Sequence, residues 1–208
     1  MRFELLTEGK AEKRAVRGFL HRALNARLGA NVGVSITRFR GNADYLRKAP
    51  DKARKALSAR DADEIVAVIG LLDLYGLPAD WQLGSSSDDR HRQVKAKIEG
   101  QVSDRRFRQF FAVHESEAWL LSDVAVFPTA AQPRLRSLGA RPERVDLDHG
   151  PARRIDDAYL RELNRGYRKV TDGQTLFSKL EPAAVLDKCP YFRAMIEEMV
   201  ELAQAAGT

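Results

Sequence analysis

The sequence predicts an α/β fold: an open, mostly parallel four-stranded sheet with helices on both faces, followed by a helical C-terminal extension. Three observations carry that expectation. Residues 65–72 (Ile-Val-Ala-Val-Ile-Gly-Leu-Leu) form an unbroken apolar run rich in β-branched side chains, as a strand covered on both faces requires. Short apolar segments alternate with stretches of helical periodicity along the first 126 residues, the pattern of strands joined by right-handed crossovers. Beyond that point the alternation stops and helical patterns take over. The expected organisation is a core over residues 1–126 with a helical extension over 127–208 packed on it, within the size of one medium domain.

Taken in order, residues 3–7 (Phe-Glu-Leu-Leu-Thr) read as the first strand, which stops at Glu8 and Gly9. Val16, Phe19, Leu20, Ala23, Leu24 and Leu28 then share one helical face, with Gly29 where a C-cap is expected. Alternation of Val32, Val34 and Ile36 marks the second strand. Residues 44–59 read as a basic helix, bent or restarted at Pro50, which has no N–H for the helix ladder. The apolar strand at 65–72 is followed by a polar stretch over 76–89, of a length that is usually functional or mobile inside a compact domain. Val94, Ile98 and Val102 mark the next helix, and residues 107–113 the fourth strand. Residues 127–149 lose all periodicity among Pro, Gly and Arg; helical patterns return at 155–165, 182–188 and 190–206.

Composition narrows the function classes. With 44% hydrophobic and 31% charged residues the chain has an ordinary soluble balance, and no apolar run nears the roughly 20 residues of a membrane span. No membrane association and a cytoplasmic location are expected. The single cysteine, Cys189, excludes an internal disulfide framework and a multi-cysteine zinc site; without a nearby histidine it reads as a small buried hydrophobe. The net charge of +6 is uneven: residues 1–60 hold 15 Lys/Arg against 5 Asp/Glu, a balance of +10 that leaves −4 for the rest. A basic front half suits a face that meets polyanions, and equally an ordinary solvated surface.

In open α/β sheets the reactive groups lie beyond the carboxyl ends of the strands. The first strand delivers Glu8, the third Asp73, and the fourth Glu115 with Glu117 two residues on; Glu12 follows Glu8 by one helical turn. Carboxylates gathered on one rim repel unless a cation sits among them, and Mg²⁺ or Mn²⁺, which prefer oxygen ligands and bridge to phosphate, are the natural ions. Two such ions would clamp both oxygens of a phosphoryl transfer.

Three strings carry a family resemblance: Glu8-Gly9-x-x-Glu12, Asp73-Leu74-Tyr75-Gly76-Leu77-Pro78, and His114-Glu115-x-Glu117-Ala118-x-Leu120. With weaker likeness through residues 166–169, 172–173 and 189–192, the chain resembles an uncharacterised bacterial domain-of-unknown-function family related to the Toprim domains of topoisomerases, primases and overcoming-lysogenization-defect nucleases. The resemblance implies a Toprim-like sheet with a divalent-metal site. Glu8 matches the glutamate after the first strand, a metal ligand or general acid/base, and Asp73 the first aspartate of Asp-x-Asp. The second aspartate is replaced by Tyr75, which weakens one metal position unless Glu115 or Glu117 takes its place. Relatives of this kind often sit beside an AAA- or ABC-type ATPase in phage-defence loci and act as nuclease effectors.

The expected site is then Glu8, Asp73 and Glu115 as catalytic metal ligands, with Glu117 as a further ligand and Lys169 neutralising phosphate charge. Lys179 has the same option as Lys169, although most lysines are merely solvated. Glu12, Tyr75 and His114 flank the site; Glu12 is equally an ordinary first-turn acid, Tyr75 a packing residue and His114 a core histidine. Lys10, Arg47, Lys48, Lys52, Arg54 and Lys55 form the candidate nucleic-acid face, or only the wet side of a helix. The leading expectation is a metal-dependent nuclease. The alternatives are a Toprim-derived module without catalysis that binds an ATPase or nucleic acid, and a small phosphate-ester hydrolase; a homodimer is compatible with each.

Overall fold

The computed structural model describes residues 1–8, 13–74, 77–81, 86–112, 115–144 and 149–207. The described strands are β1 (Arg2–Glu8), β2 (Gly33–Phe39), β3 (Ile65–Asp73) and β4 (Phe107–Ala112), in the order β2-β1-β3-β4 and all parallel. The helices are α1 (Lys13–Leu28), α2 (Asn42–Leu57), α3 (Ser87–Val102), α4 (Glu117–Leu121), α5 (Gln132–Leu135), α6 (Pro151–Leu163), α7 (Thr171–Lys179), α8 (Pro182–Lys188) and α9 (Pro190–Ala206). The fold class is the one the sequence predicts.

Contacts gather into two compact units, each assembled from separate stretches of chain: Met1–Lys10, Leu24–Phe111 and Glu197–Thr208 in the first, Ala11–Ala23 and Ala112–Ile196 in the second. The first unit holds the sheet. Leu5 pairs with Ile36 on one side and Ile69 on the other, so β1 is central. The face bearing Leu6, Phe39, Val68, Leu72, Phe107 and Phe111 packs against Tyr45, Leu46, Ala49 and Ala53 of α2 and Val94, Ile98 and Val102 of α3. Within this layer the Tyr45 hydroxyl donates to Gln109 Oε1 at 2.7 Å, both groups being fully buried. Gly70 makes that bond sterically feasible, because a Cβ there would overlap both oxygens.

Two local expectations change. α2 runs unbroken through Pro50, which lies buried inside it, so the helix is not restarted there. Its apolar face, from Tyr45 to Leu57, outweighs the one ladder hydrogen bond that proline removes. Residues 127–149 are also not featureless: α5 and the single 3₁₀ turns Arg136–Ala140 and Pro142–Arg144 occupy much of that stretch. The second unit is centred on an aromatic cluster in which the Phe192 ring lies 5.5 Å from Phe19 and 4.9 Å from Trp119, with Phe177 5.7 Å from Phe19.

Candidate functional site

The chain leaves β1 towards β2 on one side and returns through α2 to β3 on the other. The gap between β1 and β3 is therefore the topological switch point of the sheet, where open α/β folds leave a crevice beyond the strand ends. Glu8 is the last residue of β1 and Asp73 the last of β3, so two half-buried carboxylates flank that point. The final register pair is Thr7 with Leu71. Strand alternation then assigns Glu8 to the face of Leu6, and Asp73 to the face of Ile69 and Leu71. The two acids come to the rim from opposite sides of the pleat, and a ligand shared between them belongs beyond the strand ends.

In the second unit Glu115, Glu117 and Lys169 come together. Lys169 Nζ lies 3.4 Å from Glu115 Oε1 and 3.2 Å from Glu117 Oε1. Glu117 opens α4 and is almost wholly buried, whereas Lys169 is 40% exposed. The other oxygen of Glu115 accepts the Ala152 N–H at 3.0 Å, in the first turn of α6, an electropositive place for an anion. The lysine thus separates two carboxylates that would otherwise repel each other.

The basic residues of α2 divide into two groups. Arg47 and Lys48 both hold Asp44, at 3.1 and 2.6 Å, and Arg54 pairs with Asp51 and the Gln101 carbonyl. The Lys48 ammonium and the Arg40 N–H hold the Asp44 carboxyl down at about 2. Lys52 and Lys55 are exposed and have no ion-pair partner among the described residues. Lys10, Glu12, Tyr75 and His114 lie outside the described residues.

A family profile for a domain of unknown function matches residues 7–200. The chain belongs to the DUF4276 family. No curated protein and no solved structure gave a significant match.

For this DUF4276 chain the acids that flank the switch point are the two carboxylates Glu8 and Asp73. Among the described residues no group of three or more His, Cys, Asp or Glu is placed to hold a metal ion. Two carboxylates are enough in number and kind for Mg²⁺, which binds through one or two of them and fills its other positions with water and substrate phosphate. The sequence reading passed over one buried acid, Glu143, whose carboxylate accepts the Tyr191 N–H at 2.9 Å and the Phe192 N–H at 3.2 Å. It satisfies donors at the start of α9 that no residue of that helix can bond. The Cys-Pro-Tyr start of the helix signals those orphan donors, but only the fold shows which acid, 48 residues away, meets them.

Proposed function

We propose that this DUF4276 chain is a Toprim-like, Mg²⁺- or Mn²⁺-dependent phosphodiesterase acting on nucleic acid, an effector nuclease that works with an ATPase partner. The observation that carries the reading is the pair Glu8 and Asp73, each closing one of the two adjacent parallel strands that flank the switch point of the sheet. In this reading Glu8 and Asp73 hold the ion beyond the strand ends. The ion, when bound, would polarise the scissile phosphate and acidify a coordinated water. Lys52 and Lys55, exposed and without ion-pair partners among the described residues, are the side chains of α2 best able to follow a phosphate backbone. Arg47, Lys48 and Arg54 would first have to exchange their aspartate partners for phosphate.

The test is Asp73→Ala and Glu8→Ala. Each should remove Mn²⁺-dependent cleavage of single- or double-stranded nucleic acid by at least about 100-fold while leaving the far-ultraviolet dichroism and the unfolding midpoint near those of the parent. Undiminished cleavage by the purified Asp73→Ala protein would sink the assignment.

A second reading, a non-catalytic module that binds a partner ATPase or nucleic acid, is favoured by a different observation. Position 75 carries tyrosine in place of the second aspartate, and Glu115 and Glu117 both face a lysine of their own chain. Calorimetric titration with Mn²⁺ separates the two: heat that disappears in Glu8→Ala supports the enzyme, and no heat at millimolar Mn²⁺ supports the module.

A further inference from the structure

The second unit contains a cleft of about 390 Å³ bordered by the segment 125–129, by Tyr159 of α6, by Arg165, and by α7. Its size is at the lower end for small-molecule sites, right for a compact metabolite or a single nucleotide rather than a polymer. Phe127 and Tyr159 lie behind its wall, only 3% and 1% exposed, so the surface it offers a ligand is mainly polar.

The polar groups of the cleft are arranged with a clear division of labour. Arg165 grips Asp172 in a two-pronged pair, Nη1 to Oδ2 at 2.7 Å and Nη2 to Oδ1 at 3.0 Å. Its guanidinium carbon also lies 5.0 Å from the centre of the Tyr159 ring, and Nη1 reaches the Gly166 carbonyl at 3.2 Å. Asp172 Oδ2 is further engaged by the Arg168 N–H at 2.9 Å, so that carboxylate has little capacity for a ligand. Arg165 and Asp172 cancel in charge, yet the guanidinium, with five N–H donors, keeps at least one beyond these contacts. Lys179, exposed in the last turn of α7, has no ion-pair partner among the described residues and leaves the cleft with a net positive charge. A planar guanidinium fixed by Asp172 and an exposed ammonium together describe a receptor for a small anion.

We propose that this cleft binds a small organic anion of up to mononucleotide size, its phosphate or carboxylate taken by Lys179 and Arg165. The site lies wholly within the second unit and does not depend on the metal reading.

The experiment is calorimetry of the full chain in EDTA with 5′-AMP, adenosine, phenyl phosphate and benzoate as probes. At least one anionic probe should bind saturably, and adenosine about tenfold or more weaker than 5′-AMP if 5′-AMP is that probe. Phenyl phosphate against benzoate distinguishes a phosphate from a carboxylate, and either one upholds the site. Lys179→Ala should weaken binding about tenfold or more, and Lys179→Arg should retain most of it. Ala125→Trp, at an exposed position on the cleft wall, should block it without unfolding the chain. The proposal is overturned if no anionic probe saturates at millimolar concentration, or if binding persists undiminished in Lys179→Ala or Ala125→Trp proteins of parental stability.

Discussion

Lys169 is held by two carboxylates of very different exposure, and that asymmetry determines what its removal does. Glu117 has only 2% of its side chain exposed, whereas Glu115 has 18% exposed and a backbone N–H partner as well. Taking away the ammonium leaves the two acids facing each other, one of them out of water, a larger loss than the severing of a surface pair. Lys169→Met should lower unfolding stability by about 1–3 kcal/mol, with Lys169→Arg close to the parent. The 40% exposure of the lysine argues for the lower part of that range, since water screens part of the interaction. A double-mutant cycle with Glu117→Gln, followed by denaturant titration, should show a coupling of about 0.5–3 kcal/mol. A coupling near zero would mean that Lys169 does not hold Glu117. The sequence marked all three residues for a phosphate site, but 54 positions separate Glu115 from Lys169, and no periodicity reveals a pairing over that distance.

β3 was legible because burial on both faces demands a continuous apolar run, and residues 65–72 have no competing local preference, whereas β2 was legible from alternation. α1, α3 and α9 were legible from the spacing of Phe19, Val94, Ile98 and their neighbours. α7 was not: Thr171, Asp172 and Gly173 are poor helix formers, and the helix is secured instead by Leu176 and Phe177 buried within the second unit. The turns over 132–144 were hidden for another reason: they are too short to carry a repeat. At the candidate site the strand ends gave away Glu8 and Asp73, since position in a strand is a local property; their side of the pleat depends on register, which a sequence does not print. Gly70 shows how closely the strand bearing Asp73 is fitted. Gly70→Ala would drive a methyl into the Tyr45–Gln109 hydrogen bond, so it should cost about 1–3 kcal/mol by chemical denaturation. If the variant is as stable as the parent, the packing of α2 on β3 is looser than this bond implies.

The two units carry opposite pH responses. In the first, burial and the Lys95 ammonium push His91 down from 6.5 to about 4 as its ring packs edge-on to Phe111 at 5.3 Å, with Asp88 pulling weakly the other way. The unfolded chain then binds more protons than the folded one between about 4 and 6.5, and stability falls as the pH drops through that window. In the second unit, burial raises Glu143 from 4.5 to about 7, against the N–H groups of Tyr191 and Phe192, the Arg193 charge and the Trp119 indole. Its contribution is complete below about 4.5 and is lost as the pH rises to about 7. The chain supplies a reporter for each, because of its two tryptophans Trp81 lies in the first unit and Trp119 in the second. In a Trp81→Phe background, urea titrations followed by Trp119 fluorescence should show a midpoint that declines between pH 4.5 and 7. Glu143→Gln should flatten that decline while lowering the midpoint throughout, because the amide puts an NH₂ donor where one of the two accepting oxygens stood. His91→Gln should leave the decline intact and remove only the acid-side loss. A decline that survives Glu143→Gln would place the responsible group elsewhere and would leave Glu143 ionised at the start of α9 across the whole range.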